Sequence, residues 1–119
     1  MELELRVVAV VSAGGVLGAA ARSGIEAGWP HAAGGFPWAT WVINVSGCFL
    51  LGLVAVLVGQ HRYWRPFLGT GVLGGYTTFS TWAVETLQSR PLVAAGYVGA
   101  TVAGALLAAW AGGAVVRRR

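Results

Sequence analysis

Apolar residues in this chain fall into four long runs separated by short polar links. The first runs from Leu5 to Ala21, and on to Ile25 if Arg22 is taken in. The second runs from Trp38 to Val58, the third from Phe67 to Leu87, and the fourth from Leu92 to Val116. A helix that spans a bilayer needs about 20 predominantly apolar residues, and each run meets that length. The links, Glu26 to Pro37, Gly59 to Pro66 and Gln88 to Pro91, are too short to hold a soluble domain. The pattern predicts a single all-α transmembrane domain over residues 1–119, with four helices at 5–25, 38–58, 67–87 and 92–116.

The third run breaks the pattern. Gly69-Thr-Gly-Val-Leu-Gly-Gly-Tyr-Thr-Thr-Phe-Ser-Thr-Trp82 is crowded with glycines and hydroxyls where lipid-facing residues belong. Irregular backbone at membrane depth survives only where it is buried in protein or lines a polar cavity. This helix is expected to break near its middle and expose carbonyls and hydroxyls to a small polar solute.

Composition agrees with the membrane reading. Only 10% of residues are charged, against about 25% in soluble domains, and the mean hydropathy is +0.69. The single cysteine, Cys48, excludes a disulfide framework or a thiolate metal site. The net charge of +4 comes from arginines at segment ends, which fits anchoring and topology rather than nucleic-acid binding. Ala19 and Ala21 mimic a signal-peptide cleavage site, but Glu2 and Glu4 beside Arg6 form the wrong leading segment for one. With four spans both termini share a side. That side carries Arg6, Arg62, Arg65 and Arg117 to Arg119, six of the eight basic residues, and Arg22 and Arg90 lie opposite. The positive-inside rule assigns the richer side to the cytoplasm. Trp29, Trp38, Trp64 and Trp110 near the predicted ends suit an interfacial belt.

Few residues could carry chemistry. Asn44 lies mid-span, where an amide needs partners: an interhelical hydrogen bond, or an anion facing its N–H. Arg22 either snorkels to the interface or lines a vestibule that concentrates anions. Glu85 reads as an interfacial carboxylate or the partner of an arginine. Gly14 and Gly18, Gly71 and Gly75, and the stripe Gly96, Ala100, Gly104, Ala108 read as close helix contacts. Tyr97 and Thr101 share a face of the last helix. The glycine-rich run lacks the lysine of a nucleotide loop, and His31 and His61 sit in opposite links, so nothing points to an enzyme.

Three stretches together resemble the Fluc (CrcB) family of small fluoride channels: Gly14-Gly15 and Gly18 with Arg22; Asn44 with Gly47 and Gly52; and Gly74-Gly-Tyr-Thr-Thr-Phe-Ser-Thr-Trp82 with Glu85. The resemblance covers nearly the whole chain, and its third stretch is the most specific. It implies a fluoride-selective channel of the inner (plasma) membrane that exports fluoride passively, built as an antiparallel dual-topology dimer with two pores. It implies that Asn44, Phe79, Thr81, Trp82, Tyr97 and Thr101 line the pore and that Arg22 stands in the vestibule. It further implies a structural Na⁺ held by the main-chain carbonyls of Gly74 and Thr77.

Elementary chemistry agrees. Fluoride is small and strongly hydrated, so a dry pore must replace water with amide and hydroxyl donors. Aromatic edges carry partial positive charge, and backbone oxygens are hard ligands suited to Na⁺. Two departures stand out. Position 82 is Trp where the family pattern has Phe, and Ala105 stands where another hydroxyl would extend the Tyr97–Thr101 track. The six-to-two arginine bias favours a single orientation, so a heterodimer with a similar chain of opposite bias stands beside the homodimer. A small dual-topology multidrug exporter and a non-transporting membrane subunit are the other readings. The first run holds no carboxylate between Arg6 and Arg22, which counts against the exporter.

Overall fold

The computed structural model describes residues 1–118 and is helical almost throughout; Arg119 lies outside the described residues. Helix α1 is Glu2–Gly28 and α2 is Trp38–Val58. A widened, π-type helix, Pro66–Leu73, continues into a single α-turn, α3 (Gly74–Tyr76). After three non-helical residues come α4 (Ser80–Gln88) and α5 (Pro91–Arg117). Among the described residues α1, α2 and α5 are long and apolar enough to cross a membrane. The third run is instead two pieces divided at Thr77–Phe79, as its composition implies.

Boundaries differ from expectation in an instructive way. Helices α1 and α5 each have 27 residues, about 40 Å of helix against about 30 Å of hydrocarbon. Their charged ends continue the helix past the apolar stretch, which hydropathy alone could not mark. Trp29, Trp38 and Trp64 lie at helix ends with their rings exposed, as a belt requires.

The helices pack as two parallel pairs, and glycines make both contacts. In the first pair α1 lies against the π-type segment and α3. A Cβ on Gly18 would fall on the Val72 carbonyl oxygen, and one on Gly75 would fall on that of Gly15. Gly14 and Gly71 meet the opposing backbone in the same way. The two predicted GxxxG pairs therefore interlock with each other. In the second pair α2 runs alongside α5, with Gly52 against the Ala109 carbonyl and Gly112 against that of Phe49. The predicted small-residue stripe contributes only in part. Gly104 faces Trp41 and Val45, whereas Gly96 has open space beside it. Glycine at these contacts lets dispersion act between backbones, which is what drives association inside lipid.

The loops sort by side. Arg6, and then Arg62, hold the Tyr63 phenol below its ordinary value, so the start of α1 and the 59–65 link share one face. At the other face the Arg90 N–H bonds the Gly34 carbonyl at 3.3 Å, joining the two remaining links. The arginine-rich residues Arg6 and Arg62 thus lie together, as the charge pattern implies.

Candidate functional site

The interruption in the third run is made by side chains that take over the helix's own hydrogen bonds. Asn44 Oδ1 accepts the Thr78 N–H at 2.8 Å, and Asn44 Nδ2 donates to the Thr78 carbonyl at 2.9 Å. The Thr78 hydroxyl in turn accepts the Thr81 N–H at 3.2 Å, capping α4. Thr77 is extended, with ψ 158°. Its hydroxyl and its N–H both donate to the Leu73 carbonyl at 3.0 Å. Gly47 leaves the room in which the Thr77 methyl sits.

Two carbonyls lose their donors as a result. In a continuous helix Gly74 would accept from Thr78 and Thr77 from Thr81. Those N–H groups are taken by Asn44 and by the Thr78 hydroxyl. Among the described residues neither carbonyl accepts another hydrogen bond. Both lie on one cleft and are hard oxygen donors, while no cluster of three His, Cys, Asp or Glu residues could hold a metal among the described residues. Gly74 itself is not where the helix is interrupted. Gly74 is helical, with φ −63°, and has space for a methyl group. The irregular residues are Thr77 to Phe79, and Asn44 causes their irregularity.

The cleft, of about 410 Å³, gathers Asn44, Gly74, Thr77, Phe79, Trp82 and Thr101. Asn44 is buried, whereas Phe79 is 76% exposed at the edge. The Phe79 and Trp82 rings lie 5.3 Å apart. Ala105 is also on the wall, so the polar track ends there in a methyl group. Asn44 keeps one N–H beyond its two bonds to Thr78.

The remaining expected residues stand elsewhere. Tyr97 is fully buried among Phe36 and Trp82, and its hydroxyl donates to Glu85 Oε1 at 3.1 Å. Thr81 lines a second cleft with Glu26, His31, Thr40 and Glu85. Arg22 is turned inward rather than out to the interface: its Nε donates to the Gly75 carbonyl at 3.2 Å, and its Nη1 lies 4.0 Å from Glu26 Oε1. It thereby satisfies a carbonyl at the end of α3, a favourable place for a cation. Sequence reasoning missed Thr78 and Ser46, whose hydroxyl is 3.0 Å from that of Tyr76. The Thr78-x-x-Thr81 spacing, with a hydroxyl three residues before a helical N–H, was the available signal for the first.

Known proteins share this chain's pattern over nearly its full length. "Fluoride-specific ion channel FluC 1" of Streptomyces coelicolor is 48% identical over 94% of this chain and 78% of its own. "Fluoride-specific ion channel FluC 2" of Nocardia farcinica is 44% identical over 97% of this chain and 94% of its own. "Fluoride-specific ion channel FluC" of Paracoccus denitrificans is 42% identical over 86% and 87%. The family model described as "CrcB-like protein, Camphor Resistance (CrcB)" matches residues 9–113, a range that takes in α2, the interruption and most of α1 and α5. With its long apolar helices, its glycine-locked pairs and this match, the chain is a multi-pass membrane protein that belongs to the CrcB family.

Proposed function

We propose that this chain is a fluoride-selective channel of the inner membrane, through which fluoride leaves the cytoplasm down its gradient. The observation that carries the reading is the 48% identity, over 94% of the chain, to a protein named as a fluoride-specific ion channel. The cleft supplies the chemistry. It is largely apolar, with the remaining Asn44 N–H, the Thr101 hydroxyl and the rings of Phe79 and Trp82 on its walls. Such a site replaces the water around a small anion with a few fixed donors and positive ring edges. Chloride is larger and gains less at the same contacts, because attraction falls with distance.

The pieces Pro66–Tyr76 and Ser80–Gln88 together form the third of four spans, and two chains assemble antiparallel. The exposure of Phe79 at the cleft edge supports an assembly in which a partner covers it. The carbonyls of Gly74 and Thr77, freed by Asn44 and Thr78, are the ligands we assign to Na⁺, with the same pair contributed by a partner. Bound there, the ion supplies fixed positive charge in a region of low dielectric. The arginine bias supports a second reading in which the partner is a similar chain of opposite orientation.

Liposomes reconstituted with the purified chain, loaded with fluoride or chloride and read with ion-selective electrodes, test the function. Fluoride release far above chloride release is expected; equal release overturns the selectivity. Labelling of a cysteine-tagged C-terminus from each side tests the assembly. Labelling from both sides is expected, and labelling from one side of an active single-chain preparation sinks the antiparallel dimer.

A further inference from the structure

At the arginine-rich face, the first turns of α1 and the link before the π-type segment close around an apolar trough. Val10, Tyr63, Trp64 and Phe67 line this space of about 200 Å³. None of them lines the cleft at the helix interruption. The Trp64 and Phe67 rings meet edge to face at 5.8 Å, which gives the trough stiff aromatic walls. Its surroundings are cationic. Arg6 precedes Val10 by four residues on α1, so it lies on the same face one turn nearer the helix end. The Arg62 guanidinium carbon stands 5.8 Å from the centre of the Tyr63 ring. Both arginines act on that phenol and lower its pKa. Positive charge and apolar surface therefore meet at one tyrosine.

The link that presents this tyrosine is built rather than loose. His61 Nδ1 accepts the backbone N–H groups of Tyr63 at 3.2 Å and of Trp64 at 3.1 Å. Arg65 is committed to the Gly59 carbonyl, to which its Nη1 donates at 2.7 Å. Arg6 is held less firmly. Its carboxylate neighbour, Glu2, is 3.7 Å away in an exposed pair, and such a pair is weak enough to yield to a stronger anion.

A trough at the membrane boundary with arginines beside it fits a molecule that is anionic at one end and hydrocarbon at the other. We propose that Arg6, Arg62 and Tyr63, with the trough of Val10, Trp64 and Phe67, form a binding site for an anionic phospholipid. The phosphate meets the two guanidiniums and the phenol O–H, and the first stretch of an acyl chain lies in the trough. Basic pockets between membrane helices hold anionic headgroups in this way. A zwitterionic lipid brings its own ammonium group to the arginines and gains less. A second copy docking by the same face would set arginine against arginine, so charge favours the lipid as occupant.

The test uses the purified chain in phosphatidylcholine vesicles that carry a small fraction of phosphatidylglycerol with brominated acyl chains, or the same fraction of brominated phosphatidylcholine. Bromine quenches an indole on contact, and the contribution of Trp64 is the difference between wild type and Trp64→Phe. Both leaflets hold the lipid, so the orientation of the chain does not matter, and the readout is independent of ion flux. Trp64 is expected to be quenched at a lower fraction of the brominated phosphatidylglycerol than of the brominated phosphatidylcholine. Arg6→Gln and Arg62→Gln, at exposed positions and each first checked for a monodisperse species, are expected to weaken that preference about fivefold apiece, the scale of one arginine beside an anionic lipid. Arg117→Gln removes the same charge from the end of α5 and is expected to leave the preference in place. Equal quenching by the two lipids overturns the proposal. An equal loss in Arg117→Gln also overturns it, because a diffuse surface potential then accounts for the preference. Absence of quenching by either lipid means that a second copy covers the trough, and the lipid site falls.

Discussion

The two pieces of the interrupted segment are built on different principles. Pro66–Tyr76 is held along its length by backbone-to-backbone contact with α1, through Gly14, Gly18, Gly71 and Gly75. Ser80–Gln88 has no buried residue, and Phe79, Val84 and Leu87 are exposed on or beside it. It is held by polar links at its ends: Asn44 and Thr78 at the start, and Glu85 to Tyr97 near the finish. One piece is fixed by shape and the other by a few hydrogen bonds. The residues that could meet an ion, Thr77 to Trp82, begin where shape stops and hydrogen bonding takes over.

The largest effect is expected where shape decides. Gly18→Leu puts a side chain onto the Val72 backbone, which cannot move aside. Overpacking costs about 1–3 kcal/mol where neighbours can adjust, so we expect more than that here and little monodisperse protein on size exclusion. A well-folded Gly18→Leu variant would mean that the first pair is not glycine-locked.

Asn44→Leu attacks the other principle. It leaves the Thr78 N–H and carbonyl unpaired, at about 1–3 kcal/mol each. We expect a lower thermal midpoint with most of the helix content retained, and loss of fluoride release. Rapid hydrogen exchange should be confined to the residues after Tyr76. Uniform acceleration along the chain would contradict the division into two differently held pieces.

Phe79→Ile should separate folding from transport. Phe79 is 76% exposed in the single chain, so its replacement leaves that fold intact. It removes the positive ring edge, and we expect fluoride release to fall at least about tenfold, the scale of about 1.4 kcal/mol. Unchanged release would take Phe79 out of the pathway. The smallest effect belongs to Gly74→Ala, since Gly74 is helical and an added methyl would make only an ordinary van der Waals contact, 3.8 Å from the Gly69 carbonyl oxygen. We expect its thermal midpoint close to wild type, while Gly75→Ala, facing the Gly15 carbonyl, unfolds at a clearly lower temperature.

The same contrast explains what the sequence disclosed. The long apolar helices were legible because length and hydropathy suffice for them. The interruption was legible because glycines and hydroxyls are out of place in a span. Its position was only half legible: the glycines drew attention, yet they serve packing, and the kink falls on Thr77 to Phe79. Locating it needed the knowledge that Asn44, 34 residues from Thr78, reaches across. For Arg22 the sequence leaves the interface and a vestibule open, because it cannot show that its Nε meets the Gly75 carbonyl. Tyr97 and Thr101 shared a helix face, but whether a hydroxyl meets Glu85 or a cleft depends on neighbours that no spacing reveals.

The parallel pairing of α1 with the third run and of α2 with α5 has a consequence for biosynthesis. Helices α1 and α2 each find their close partner in a later element rather than in one another, and they touch each other only sparingly. As the chain leaves the ribosome, α1 and α2 enter the membrane with their glycine faces bare. The second pair cannot close until α5 has been synthesised. Asn44 also waits with its amide unbonded in the hydrocarbon until Thr78 arrives. Maturation of this small protein is therefore set by its last helix, and ribosome-stalled chains ending before α5 should be extracted from the membrane or degraded more readily than the finished one.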